Sequence, residues 1–89
     1  MVNVFLLIIR EHYTTAYYAF STEEKAVALM ERAIIKQFGD GDLVKKSLSK
    51  CLKNRYFDSQ EEGITKDEDR KWLLRIYPLL LDKETLYYE

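Results

Sequence analysis

The stretch VNVFLLII at residues 2–9 decides the fold. Val4, Leu6 and Ile8 occupy one parity of the run and Phe5, Leu7 and Ile9 the other, so an extended chain here sends apolar side chains to both sides. A strand of that kind is covered on both faces and reads as the central strand of a sheet. Residues 10–14 form a polar bend, and residues 15–20 resume with Ala16, Tyr18 and Phe20 on one parity and Thr15, Tyr17 and Ala19 on the other. The two runs make a hairpin. Without an Asn-Gly or Asp-Gly pair, its loop is expected to exceed two residues.

Working outward, Ser21 is followed three residues later by Glu24, the spacing of a capping box, and a helix is expected from Thr22. Ala26, Met30, Ala33, Ile34 and Phe38 recur every three or four residues, and Gly39 stands where a left-handed cap suits glycine. Asp42 is the expected cap of a second helix, with the apolar set Val44, Leu48, Cys51 and Leu52 and an end near Asn54. Residues 58–69 carry six acidic side chains against one lysine, with Gly63 and a single apolar anchor, Ile64. Residues 58–70 therefore read as an acidic mobile loop. Residues 71–77, with Trp72, Leu73, Leu74 and Ile76, read as a third strand, and Pro78 belongs at its end or on an exposed edge. Leu79, Leu80, Leu81, Leu86, Tyr87 and Tyr88 make the tail too apolar to be left in solvent.

The hairpin leading into Phe20-Ser21-Thr22-Glu23-Glu24-Lys25-Ala26, with a late aromatic strand running into Leu81-Asp82, resembles small phage and bacterial proteins of unknown function built as hairpin, helix and returning strand. The resemblance covers the first forty residues and the last twenty; the basic helix and acidic segment between them depart from the pattern. It implies a three-stranded antiparallel sheet with the first strand central. It also implies an origin among phage accessory proteins, many of which act by binding a host protein.

At 89 residues, 47% hydrophobic and 33% charged, the chain is expected to form one domain over residues 1–89. A net charge of −1 and a pI near 5.9 argue against nucleic-acid binding through bulk positive charge and permit self-association. One cysteine closes no intramolecular disulfide, and one histidine with it makes no metal-ligand set, so a cytoplasmic location is expected, the host's if the protein is phage-encoded. The apolar run 4–9 has neither a basic region before it nor a cleavage site after it, and it is too short to span a bilayer.

Catalytic constellations fail on placement. Cys51 shares the inner face of the second helix while His12 belongs to the hairpin bend, and Glu23 and Glu24 fall in a first helical turn, where they complement the macrodipole. Asp40-Gly41-Asp42 opens like a calcium loop, but Val44 stands at the next ligand position and the distal glutamate is missing. Gly39 and Gly41 lack the Gly-Lys-Ser/Thr of a phosphate cradle. No enzyme activity, cofactor or metal is expected.

Two binding surfaces are left. Lys45, Lys46, Lys50, Lys53 and Arg55, with no acid among them and Tyr56 beside them, could grip phosphates and stack a base of RNA or single-stranded DNA, although a solvated helix face or an acidic protein partner accounts for the same charges. Alternatively, if both helices cover one side of the sheet, Tyr17 and one parity of residues 72–77 face outward as an aromatic patch, with Tyr13, Tyr17, Trp72 and Tyr77 as interaction residues. The tail folding over that patch would leave no such surface. The expectation is an α+β domain of order ββααβ, a three-stranded antiparallel sheet (2-1-3) with two helices on one face. Its expected role is a non-enzymatic protein-binding module, homodimeric and not membrane-bound, that if phage-encoded inhibits or redirects a host protein by occupying its surface.

Overall fold

The computed structural model describes residues 2–67 and 70–81. Their order is β1 (Val2–Glu11), β2 (Thr14–Phe20), α1 (Glu23–Phe38), α2 (Asp42–Asn54), β3 (Tyr56–Asp58) and β4 (Trp72–Leu81). The class is α+β, and the sheet is antiparallel with four strands in the order β2-β1-β4-β3. The expected three-stranded order survives as β2-β1-β4, and the correction is β3, a three-residue strand added outside the returning strand. Three residues are too few to show a period in sequence.

The hairpin is tighter than its composition suggested. Glu11 pairs with Thr14, leaving only His12 and Tyr13 in the loop, and His12 takes the left-handed backbone (φ 45) usually given to glycine or asparagine. The cap of α1 also moves by one residue. Thr22, not Ser21, accepts the Lys25 N–H at 3.4 Å, because Thr22 has the extended backbone that an N-cap requires. Gly39 ends α1 with φ 81, its N–H donating to the Ile35 carbonyl at 2.7 Å. Asp42 is the first residue of α2 and not its cap; Gly41 holds the cap position without a side-chain bond.

Both helices lie on one side of the sheet. Ala26, Met30 and Ile34 of α1 are fully buried at four-residue spacing, and α2 adds Val44, Ser47 and Cys51. Leu7, Leu74, Ile76 and Phe57 face them from β1, β4 and β3, so each fully buried side chain contributes about 1.5–3 kcal/mol of apolar transfer. Phe5, Ile9, Phe20 and Trp72 pack around this core.

The segment read from sequence as acidic loop starts inside the sheet. Asp58 belongs to β3 and Ser59 is fully buried, accepting the Trp72 N–H at 2.8 Å while its hydroxyl meets that of Thr65 at 2.8 Å. Ile64 and Thr65 donate their N–H groups to the Ser59 carbonyl at 2.9 and 3.1 Å. Asp58 Oδ1 accepts from the Gln60 and Glu61 N–H groups at 2.9 and 3.2 Å, the turn chemistry expected of aspartate.

The late strand runs further than residues 71–77 and includes Pro78, which stands opposite Phe5. Ser59 N–H donates to the Trp72 carbonyl and Ile76 N–H to the Arg55 carbonyl, so the even-numbered residues of β4 turn their peptide groups toward β3. Pro78 shares that direction and lies past the end of β3, where its missing N–H breaks no ladder bond. Leu86, Tyr87 and Tyr88 of the expected covering tail lie outside the described residues.

Candidate functional site

Strand register sorts the side chains of the sheet into a helix-covered face and an open one. Phe5, Leu7 and Ile9 pair with Phe20, Tyr18 and Ala16 of β2 and with Pro78, Ile76 and Leu74 of β4, all on the helix side. The alternate residues make the open face in cross-strand rows: Thr15, Arg10, Leu73 and Asp58; then Tyr17, Ile8, Arg75 and Tyr56; then Ala19, Leu6 and Tyr77; then Val4 and Leu79. None of these side chains joins the core cluster, and no described element lies over them.

A shallow depression of about 220 Å³ opens in the middle of this face, lined by Ile8, Arg10, Thr15, Tyr17, Leu73, Arg75 and Tyr77. The Arg75 guanidinium carbon lies 4.8 Å from the Tyr77 ring centre and 5.7 Å from that of Tyr56, which holds the cation in place on its own sheet. Tyr17, at the rim, is 65% exposed. Partial burial, with the Asp58 and Glu61 carboxylates nearby, pushes the Tyr56 hydroxyl above its ordinary pKa, so it stays a neutral donor. The one carboxylate in these rows, Asp58, is buried and holds Lys71 Nζ at 3.3 Å. The strand rows of the open face are thus aliphatic and aromatic, with two guanidinium groups and no exposed acid in them, while the exposed Glu61 carboxylate borders the face beside Tyr56.

Of the four residues expected to form the interaction patch, Tyr17 and Tyr77 share this face. Trp72 does not. Its register opposite Glu11 gives it the parity of the core, and its ring meets Phe38 edge-on at 5.8 Å. Trp72 and Tyr77 are an odd number of positions apart and so point to opposite sides of one strand. Tyr13 sits at the hairpin tip, 88% exposed, with its ring 3.6 Å from that of His12. Sequence reasoning passed over Arg75 and Arg10, although their parity relative to Tyr77 and Ile8 was available.

The basic helix is only partly free. Lys50 Nζ lies 3.0 Å from both oxygens of Glu62, whose hydrogen bond raises the lysine pKa, so the acidic segment folds back onto α2 at this point. Arg55 pairs with Glu23 Oε1 at 3.0 Å and donates to the Leu52 carbonyl. Lys45, Lys46 and Lys53 are exposed and form no ion pair among the described residues. Tyr56, expected beside these cations, is turned onto the open face of the sheet next to Arg75.

Cys51 is buried in the core, and burial raises its thiol pKa further from neutrality. Among the described residues no group of three His, Cys, Asp or Glu side chains could hold a metal, and no helix is long and apolar enough to cross a membrane. No family model matches the chain, and neither does any curated protein or solved structure.

Proposed function

We propose that the protein is a non-enzymatic binding module that docks its open sheet face on a partner protein. The observation that carries this reading is the makeup of that face: Tyr17, Tyr56 and Tyr77 around Leu6, Ile8 and Leu73, with Arg10 and Arg75 and no exposed lysine or carboxylate in its rows. Tyrosine and arginine are the types enriched at the centre of protein interfaces, whereas lysine and acidic residues are depleted there. A guanidinium already stacked on two rings loses little side-chain freedom on binding. The partner surface complementary to this face is apolar with carboxylates placed to meet Arg10 and Arg75. The resemblance to phage accessory proteins makes a host protein the first class to search.

The test is a pull-down from an extract of the source cells with wild type and Ile8→Lys. Ile8 lies between Tyr17 and Arg75 in the central row, so the substitution adds an unpaired charge at the middle of the face without touching the core. A partner whose affinity falls more than about tenfold in the variant and resists moderate salt supports the reading. Binding that survives Ile8→Lys but disappears on replacing Lys45, Lys46 and Lys53 by Glu, and that weakens steeply with salt, would transfer the function to α2 and to nucleic acid.

A further inference from the structure

The edge formed by β2 has a property that the face does not. From the ladder directions already given, the odd residues of β4 turn their peptide groups toward β1, hence the even residues of β1 do so toward β4 and its odd residues toward β2. In β2 it follows that Thr14, Ala16, Tyr18 and Phe20 bond to β1, while the N–H and C=O groups of Thr15, Tyr17 and Ala19 point away from the sheet. No described element pairs with them.

Natural sheets guard such an edge with charge, proline, a bulge or brevity. β2 has none of these. It is seven residues long, TTAYYAF, without a charged residue, glycine or proline. The opposite edge is guarded, since β3 has three residues and β4 beyond it carries Pro78.

We propose that β2 is a dimerisation edge that pairs antiparallel with β2 of a second copy, the two-fold axis passing at Tyr17. The sequence around that axis is self-complementary in three respects. Tyr17 has outward peptide groups, so Tyr17 can exchange two hydrogen bonds with its own copy, and Thr15 does the same with Ala19 in both directions, giving about six bonds. Small residues meet large ones: Ala16 opposes Tyr18, on the side where the groove between β2 and α1 leaves about 600 Å³ open beside Ala16 and Leu29. Like charges never oppose each other along the pairing, because the strand has none, and the whole chain carries only −1. The axis keeps both open faces on one side of a continuous eight-stranded sheet and brings the two Tyr17 side chains together at its middle. This inference rests on the edge alone and stands whether or not the face takes a partner protein.

Hydrogen exchange on wild type, read amide by amide at low and high protein concentration, tests the pairing. The Thr15, Tyr17 and Ala19 amides should be slow only at high concentration, and those of Ala16 and Tyr18 at both. Sedimentation should show the mass rising to twice 10.6 kDa over the same range. Tyr17→Pro removes the outward N–H and the ring but no bond to β1, and should be monomeric with an unchanged far-ultraviolet circular dichroism spectrum, whereas Tyr17→Ala, which loses the ring and keeps the N–H, should still dimerise. A wild type that stays monomeric at every concentration overturns the proposal. So does a dimer whose Thr15, Tyr17 and Ala19 amides exchange fast, which would be a face-to-face pair. Protection of the three amides in a species that sediments as monomer overturns it too, since another part of the same chain would then cover the edge.

Discussion

The Arg55 guanidinium lies 3.0 Å from the Glu23 carboxylate, joining the end of α2 to the first turn of α1 across thirty-two residues of chain. Each charge also suits its own helix end, a carboxylate at an N-terminus and a cation at a C-terminus. Arg55 reaches this position because it leaves α2 in the left-handed conformation (φ 57), its N–H bonding back to the Cys51 and Leu52 carbonyls.

Glu23 should therefore mark the acid limb of stability. The Arg55 hydrogen bond lowers its pKa below the ordinary 4.5, so the stabilisation is present above the unfolded-state value and is lost as pH falls through the lower folded value. Urea midpoints measured from pH 7 down to acid should show Glu23→Gln losing less stability than wild type over that fall. Parallel curves would mean the pair does not persist in solution.

Capping separates two adjacent hydroxyls. Thr22→Ala should cost about 0.5–1 kcal/mol, the low end for an N-cap because the Lys25 N–H bond is long at 3.4 Å. Ser21→Ala, one residue outside the cap, should leave the urea midpoint within error. Equal losses in the two variants would return the cap to Ser21.

Ser59 carries a heavier load than its size suggests. Its hydroxyl serves the Trp72 N–H and the Thr65 hydroxyl at once in a fully buried position. Ser59→Ala should cost about 1–3 kcal/mol, since the Trp72 N–H and the Thr65 hydroxyl both lose their partner. A denaturation midpoint unmoved by this change would show the turn after β3 to be dispensable.

On α2 the lysines should divide by partner. Lys50→Glu sets a carboxylate against Glu62 and should lower the urea midpoint, while Lys46→Glu, exposed and with no ion pair among the described residues, should not. Retention on immobilised single-stranded DNA at low salt, compared for wild type and the Lys45, Lys46 and Lys53 to Glu variant, reads the remaining charges. Retention that is absent in both leaves α2 as a solvated surface.

Sequence pattern showed the elements with a long period and hid those without one. β1, the hairpin partner and both helices appear in the spacing of Phe5, Leu7 and Ile9, of Ala26, Met30 and Ile34, and of Val44 and Cys51. β3 stayed hidden because Tyr56-Phe57-Asp58 is short and follows a left-handed arginine, a conformation that no local residue preference announces. The burial of Ser59 among acidic neighbours depends on bonds to Thr65 and Trp72, distant information that composition does not carry. Parity sufficed to separate Trp72 from Tyr77 along one strand; that Tyr17 and Tyr77 share a face needed the register of β2 and β4 against β1, which only pairing supplies.

Pro78 turns its ring nitrogen to the side of β4 that β3 leaves uncovered, and this governs how far any assembly of the sheet can grow. A sheet open at both edges polymerises into fibres, each added copy presenting the next template. Here the far edge is the three-residue β3, and past it the imide of Pro78 offers no donor, so if copies add at β2 as proposed, no long edge is left for a further one. The protein can thus leave seven uncharged strand residues unguarded without becoming a seed for aggregation.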